Sequence, residues 1–137
     1  MIYITRRERF NAAHKLWNEN WSEQKNLEVF GKCANKNWHG HNFDLFVTVK
    51  GVLNKDTGFV VDLKDLSSVI NRKVIDKLDH KNINLDVDFM QGKMASTEIL
   101  AMAIWQELES DIEALGAHLH CIKLKETENN FVEYFGE

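Results

Sequence analysis

Three histidines of this 137-residue chain are spaced so that they can act together: His14 closes an N-terminal extended segment, and His39 and His41 open the next one. Residues two apart in an extended strand share a face, so His39 and His41 turn toward one point. Gly40 between them lets the backbone approach whatever they bind. With His14 supplied by a neighbouring strand, three imidazoles surround a tetrahedral ion and leave its fourth position open. That is the pattern of catalytic zinc, not of structural zinc. A His-x-His pair by itself serves equally well as two polar side chains at the mouth of a strand, and no C-x-x-C pair accompanies this one.

Cys33 lies six residues before His39. A thiol beside a cation or imidazole loses its proton more easily, and the thiolate can act as base or nucleophile; away from such a site, Cys33 reads as a buried structural cysteine. Cys121 reads only as a small core residue. Asp79-His80 ends a helical stretch, where the helix dipole favours imidazolium and a neighbouring carboxylate can orient a ring for proton relay. Simple capping of the helix end explains the same pair. Glu126 is an acid on a closing strand, able to grip the paired N–H donors of a guanine-like ring, or to serve as a surface acid in a cross-strand pair. Glu98 suits the first turn of a helix on charge grounds alone.

The elements that must position these groups follow from periodicity. Residues 2–14 read as a first strand. In residues 42–51, Phe43, Leu45, Val47 and Val49 alternate with polar neighbours, the mark of a half-buried strand. Asn54–Gly58 is a turn, leading into the short apolar piece Phe59-Val60-Val61. Asp62 suits an N-cap for a helix with apolar positions at Leu63, Leu66, Val69, Ile70, Val74 and Leu78. A second helix runs from about Ser96 to Leu115 and ends at Gly116. Strands at about 118–127 and 130–135 close the chain. The connection 15–38, with Trp17, Trp21 and Trp38, is expected to be irregular but for one helical turn near 24–30, and a connection of this length is usually functional.

This order predicts a single α+β domain over residues 1–137: a four-stranded antiparallel sheet with two helices on one face. Its open edges invite pairing with further copies of the chain. The chain is 44% hydrophobic and 28% charged, in the globular range. A net charge of -4 without a basic cluster argues against nucleic acid as a partner. No segment is apolar enough to span a membrane, and the charged start does not read as a signal peptide. With only two cysteines, a cytoplasmic, reduced protein is expected.

Taken together, Phe10–His14, Asn26–Cys33, His39-Gly40-His41-Asn42, Leu78–Asn82, Lys125–Asn130 and the ending Glu133–Glu137 resemble the 6-pyruvoyltetrahydropterin synthase family over essentially the whole chain. The resemblance implies the T-fold, in which three subunits join their sheets into a barrel and two such trimers stack as a homohexamer. It implies zinc on His14, His39 and His41, Cys33 as general base, and Asp79 and His80 as relay. Glu126 anchors the pterin, with Ser96, Thr97 and Glu98 lining the same pocket. The substrate so implied is 7,8-dihydroneopterin triphosphate, processed with loss of triphosphate and without nicotinamide or flavin.

The sequence departs from the family pattern at Trp38, expected to narrow the pocket mouth, and at Lys125, which stands where an aromatic residue is familiar. The 6-carboxytetrahydropterin synthases of the queuosine pathway share fold, zinc ligands and substrate but release acetaldehyde. The five-residue interval between Cys33 and His39 resembles the pyruvoyl type. A zinc-stabilised binding module without chemistry and a metal-free pterin aldolase are the other readings.

Overall fold

A computed structural model describes residues 1–137. Strand β1 (Ile2–His14) and strand β2 (His39–Gly51) pair antiparallel along their full length, from Ile2 opposite Gly51 to His14 opposite His39. β2 continues onto β4 (His118–Lys125), with a register irregularity between Thr48 and Val49, and β4 pairs with β5 (Phe131–Tyr134). The alternation read in β2 is realised: Phe43, Leu45, Val47 and Val49 are all buried on the inner face. Thr5, Arg7, Arg9, Asn11, Asn42, Asp44 and Thr48 carry interstrand side-chain hydrogen bonds on the opposite face.

The sheet has five strands, not the expected four, in the order β3-β1-β2-β4-β5. The extra strand, β3 (Lys81–Asn82), runs parallel to β1 and covers only Ala12 and Ala13. Two residues carry no periodicity, so nothing in the sequence distinguishes them from a loop. Backbone bonds from His80 N–H to the Asn11 carbonyl (2.6 Å) and from Ile83 N–H to the Ala13 carbonyl (2.8 Å) extend the contact. The rest of the outer edge of β1 has no neighbouring strand.

Helix α2 (Leu63–Ile70) starts as read, with Asp62 accepting from the Lys64 N–H at 2.8 Å. It continues through a π-helical stretch (Asn71–Ile75) into a last turn, α3 (Asp76–Leu78). Asn71 explains the local widening in part: its amide donates to the Ser67 carbonyl and to Glu8, tying the helix to β1. Helix α4 (Thr97–Ala114) is capped by Ser96, whose hydroxyl accepts from the Ile99 N–H, and Gly116 follows it at φ 86°.

The long connection is less irregular than expected, because α1 (Glu23–Phe30) occupies eight residues behind a Ser22 cap. A 3₁₀ turn (Gly31–Ala34) follows and carries Cys33. The core of 29 buried residues draws from the sheet, from α2 to α4 and from their connections, and takes no residue from 15–38.

Candidate active site

The β1–β2 register brings the three histidines together at one end of the ladder. His14 pairs with His39, and Ala12 with His41, so all three rings leave the inner face next to Phe43. Their ring centroids are 4.6 to 5.2 Å apart, and one nitrogen from each lies within 4.8 Å of the others. The carbonyl of Ala95 accepts from His14 Nδ1–H at 2.7 Å, which leaves Nε2 as the free lone pair.

Burial pushes all three imidazoles below their ordinary pKa, and each ring's positive charge would further disfavour its neighbours. The Glu126 carboxylate opposes this, but the net shift favours the neutral form that metal ligands require. His14 Nε2, His39 Nδ1 and His41 Nε2 are buried without a hydrogen-bond partner. Leaving a buried polar atom unpaired costs about 1–3 kcal/mol, so three at one point fit a cation that accepts three lone pairs.

Gly40 sits tightly against the neighbouring strand. A Cβ there would stand 3.2 Å from the Ala12 carbonyl oxygen, so its backbone lies close against β1.

Beside this centre opens a cavity of about 400 Å³ lined by His14, Cys33, Ser96, Thr97, Glu98 and Glu126, together with Leu16, Asn130, Phe131 and Val132. Six of the residues singled out in the sequence thus line one pocket of one chain. Cys33 is half-buried there, and its carbonyl accepts from the Leu16 N–H at 2.7 Å, fastening the 3₁₀ turn beside the end of β1.

Glu126 is not inside a strand as expected. It sits one residue past β4, where its N–H donates to the Asn130 carbonyl across the hairpin turn. Its two oxygens have separate neighbours: Oε1 lies 3.3 Å from His41 Nε2 without hydrogen-bond geometry, and Oε2 accepts from the Thr97 hydroxyl. The N-terminus of α4, with its unpaired N–H groups and partial positive charge, opens on the same cavity.

Asn130, Phe131 and Val132 were not read as pocket residues. Their signal lay in the hairpin, since a turn that folds back after Glu126 must place its return strand beside it.

Asp79 and His80 lie apart from this cavity. Asp79 lines a cleft with Arg9, Phe10, Asn11 and Asn42. Its Oδ1 accepts from the Asn11 N–H at 2.8 Å and its Oδ2 lies 3.0 Å from His80 Nδ1. The Asn11 bond first, and His80 after it, hold the Asp79 carboxyl below its ordinary value against the opposing effect of burial. His80 is 82% exposed in its side chain and adopts φ 61°, a left-handed conformation costly for a non-glycine residue.

Trp38, also left-handed at φ 69°, does not narrow the pocket. It lines a separate groove, where Lys15 Nζ stands 4.4 Å over its ring and 5.0 Å over that of Trp17.

A helix-backed, mainly antiparallel sheet with three clustered imidazoles beside a cavity holding a thiol and a carboxylate defines an α+β protein with a metal-type polar centre. The family model described as 6-pyruvoyl tetrahydropterin synthase matches residues 3–137, and the chain belongs to that family. It is 40% identical over 136 residues to the 6-pyruvoyl tetrahydrobiopterin synthase of Dictyostelium discoideum, covering 99% of this chain and 97% of the relative. The structure of Caenorhabditis elegans 6-pyruvoyl tetrahydropterin synthase superposes with a TM-score of 0.92 at 33% identity, covering 99% of this chain and 96% of that one. A more distant relative, the 6-carboxy-5,6,7,8-tetrahydropterin synthase of Bacillus subtilis, is 28% identical over 112 residues, covering 78% of this chain and 73% of that one.

Proposed function

We propose that the chain is a zinc-dependent 6-pyruvoyltetrahydropterin synthase acting on 7,8-dihydroneopterin triphosphate. The observation that carries this reading is one cavity lined by Cys33, Glu126 and His14, the last of these belonging to a cluster of three unpaired imidazole nitrogens. The full-length similarity to pyruvoyl-type relatives, against the lower and shorter match to the carboxy type, favours the pyruvoyl product.

His14, His39 and His41 would hold the zinc, which when bound supplies Lewis-acid chemistry to side-chain hydroxyls of the substrate. Glu126, braced by Thr97, presents a carboxylate to the amino and ring N–H donors of the pterin. Ser96 and Glu98 line the same wall. With the ring so anchored, the Cys33 thiolate takes the proton from the side-chain carbon. Triphosphate leaves, and further proton shifts oxidise the side chain as they reduce the ring, so electrons balance within one molecule.

Asp79 and His80 form the relay for those shifts. Because Asp79 lines a cleft away from Cys33 of the same chain, with the exposed His80 against it, the pair would serve the pocket of a neighbouring subunit in an oligomer closed through the open edges of β1 and β5, a hexamer built as two trimers. No helix is long and apolar enough to cross a membrane, which suits a cytoplasmic enzyme.

Product identification after incubation with 7,8-dihydroneopterin triphosphate tests the reading. 6-Pyruvoyltetrahydropterin with triphosphate supports it. Carboxytetrahydropterin with acetaldehyde assigns the queuosine-type reaction, and retention of zinc with no turnover assigns a binding module.

A further inference from the structure

Three polar residues are buried in this chain: His14, Thr97 and Asn26. His14 belongs to the imidazole centre and Thr97 braces Glu126. Asn26, on α1, has no part in the cavity, yet it is completely buried and satisfied on both ends of its amide. Its Oδ1 accepts from the Asn18 N–H at 2.7 Å. Its Nδ2 donates to the carbonyls of Asn18 and Ser22, each at 3.0 Å, with that of Trp21 at 3.4 Å. An isolated helix face would leave such a residue in water. Here the turn 18–22 is folded over it.

We infer that Asn26 is the positioning residue for Cys33. The 29-residue core takes no residue from 15–38, and Ala34, next to Cys33, is the one buried apolar residue of this connection, so packing against the domain does little to fix its start and α1. The Asn26 amide fixes them locally, by joining the start of the connection to α1 in one rigid piece. α1 then leaves through Gly31, left-handed at φ 55°, with the Gly31 N–H on the Leu27 carbonyl. The 3₁₀ turn that follows presents Cys33 to the cavity, and the bond from Leu16 N–H to the Cys33 carbonyl closes the loop on the end of β1. Cys33 is thus held from both sides, and Asn26 supplies the internal tie. That Cys33 acts on a pterin rests on the proposed function; that Asn26 fixes its place does not.

Two variants of the full chain test this. Asn26→Ala removes the amide. Asn26→Asp keeps an acceptor toward Asn18 N–H but sets a carboxylate oxygen against three carbonyls. Alkylation of native protein by iodoacetamide, with peptide mapping to separate Cys33 from the buried Cys121, reads the position of the thiol without any substrate. Both variants are expected to alkylate at Cys33 about tenfold faster or more, as local opening becomes easier, while bound metal is unchanged. With 7,8-dihydroneopterin triphosphate, kcat should fall by about 10–10²-fold with KM nearly constant, since a misplaced base costs rate and not binding.

Faster alkylation in a chain whose wild type leaves the pterin untouched supports the positioning and removes the pterin reading. Wild-type alkylation rates in both variants overturn the inference whatever turnover does, as does faster alkylation with kcat unaltered in an active enzyme. Failure of both variants to fold overturns it too, because Asn26 would then support the whole domain and not the Cys33 loop.

Discussion

His14 and His39 stand opposite one another as the last pair of the β1–β2 ladder, their ring centroids 4.6 Å apart. The strand pairing therefore sets the spacing of two proposed ligands, and alternation along β2 adds the third, His41. Because the ladder is continuous from Ile2 to His14, the centre inherits the rigidity of the sheet.

His39→Ala removes one ligand from this arrangement and leaves the core untouched. The variant should fold, lose most of its bound zinc and lose all turnover. Cys33→Ala should keep its zinc and lose activity by about 10²–10⁴-fold, the range for removal of a general base. Metal analysis of both purified variants checks the pair. Zinc missing from Cys33→Ala would make the thiol a ligand and remove it from the role of base.

Glu126 accepts from Thr97 through one oxygen and keeps the other near His41. Glu126→Gln preserves shape but exchanges an acceptor pair for one acceptor and a misplaced donor. Substrate binding should weaken by about 1.5–3 kcal/mol, with zinc content constant. Titration of the pterin into the Cys33→Ala background, where it is not consumed, gives the comparison. Equal affinity in the two chains would return Glu126 to the role of a surface acid.

The sheet and its imidazole centre were legible because both depend on a period of two. Phe43 to Val49 announce the buried face of β2, and the same alternation carries back to His41 and His39. Helix limits were legible at Asp62, Ser96 and Gly116, where local hydrogen bonding or a positive φ decides the end. Tertiary contacts without a local signature were not. The two residues of β3 acquire strand character only from the end of β1, and Trp38 lies in a separate groove under Lys15, a contact between residues 23 apart that no local pattern announces. Asn26 on a short surface helix has the composition of an exposed residue; only the fold of the preceding turn buries it.

On the opposite face of the sheet, Asp44 Oδ1 accepts from Arg9 Nε at 2.8 Å and from Arg7 Nη2 at 2.8 Å. Burial works against its ionisation, but the hydrogen bonds from Arg9 and then Arg7 outweigh it and hold the carboxyl below its ordinary value of 3.8. The folded chain thus binds this proton less tightly than the unfolded one. The stabilisation is fully present above the unfolded value and is lost as pH falls through the folded value. With both arginines largely in solvent, Asp44→Asn should cost about 1 kcal/mol or less at neutral pH. The gap in urea midpoint between wild type and Asp44→Asn should narrow as pH drops below about 4. A gap independent of pH would show that packing, and not charge, is what Asp44 contributes.

Cys33 lines the cavity beside the imidazoles, whereas Asp79 lines the cleft by Arg9, Asn11 and Asn42, with the exposed His80 against it, at the edge where β3 covers only two residues of β1. One chain therefore does not bring the proposed base and relay to one pocket, and under the proposed function a neighbour joined through the open edge of β1 would bring them together. Cys33→Ala and His80→Ala should each be inactive alone. Unfolded together and refolded as mixed oligomers, the two should recover activity, because some interfaces then pair an intact Cys33 with an intact His80. With equal random mixing each half is intact with even probability, so roughly one site in four should work. Separately refolded samples combined afterwards control for exchange, and differently tagged chains purified in tandem verify that mixed oligomers formed. If they form and activity stays at the level of the separate variants, Asp79 and His80 do not complete a neighbour's pocket, and the relay must be sought within the chain that holds Cys33.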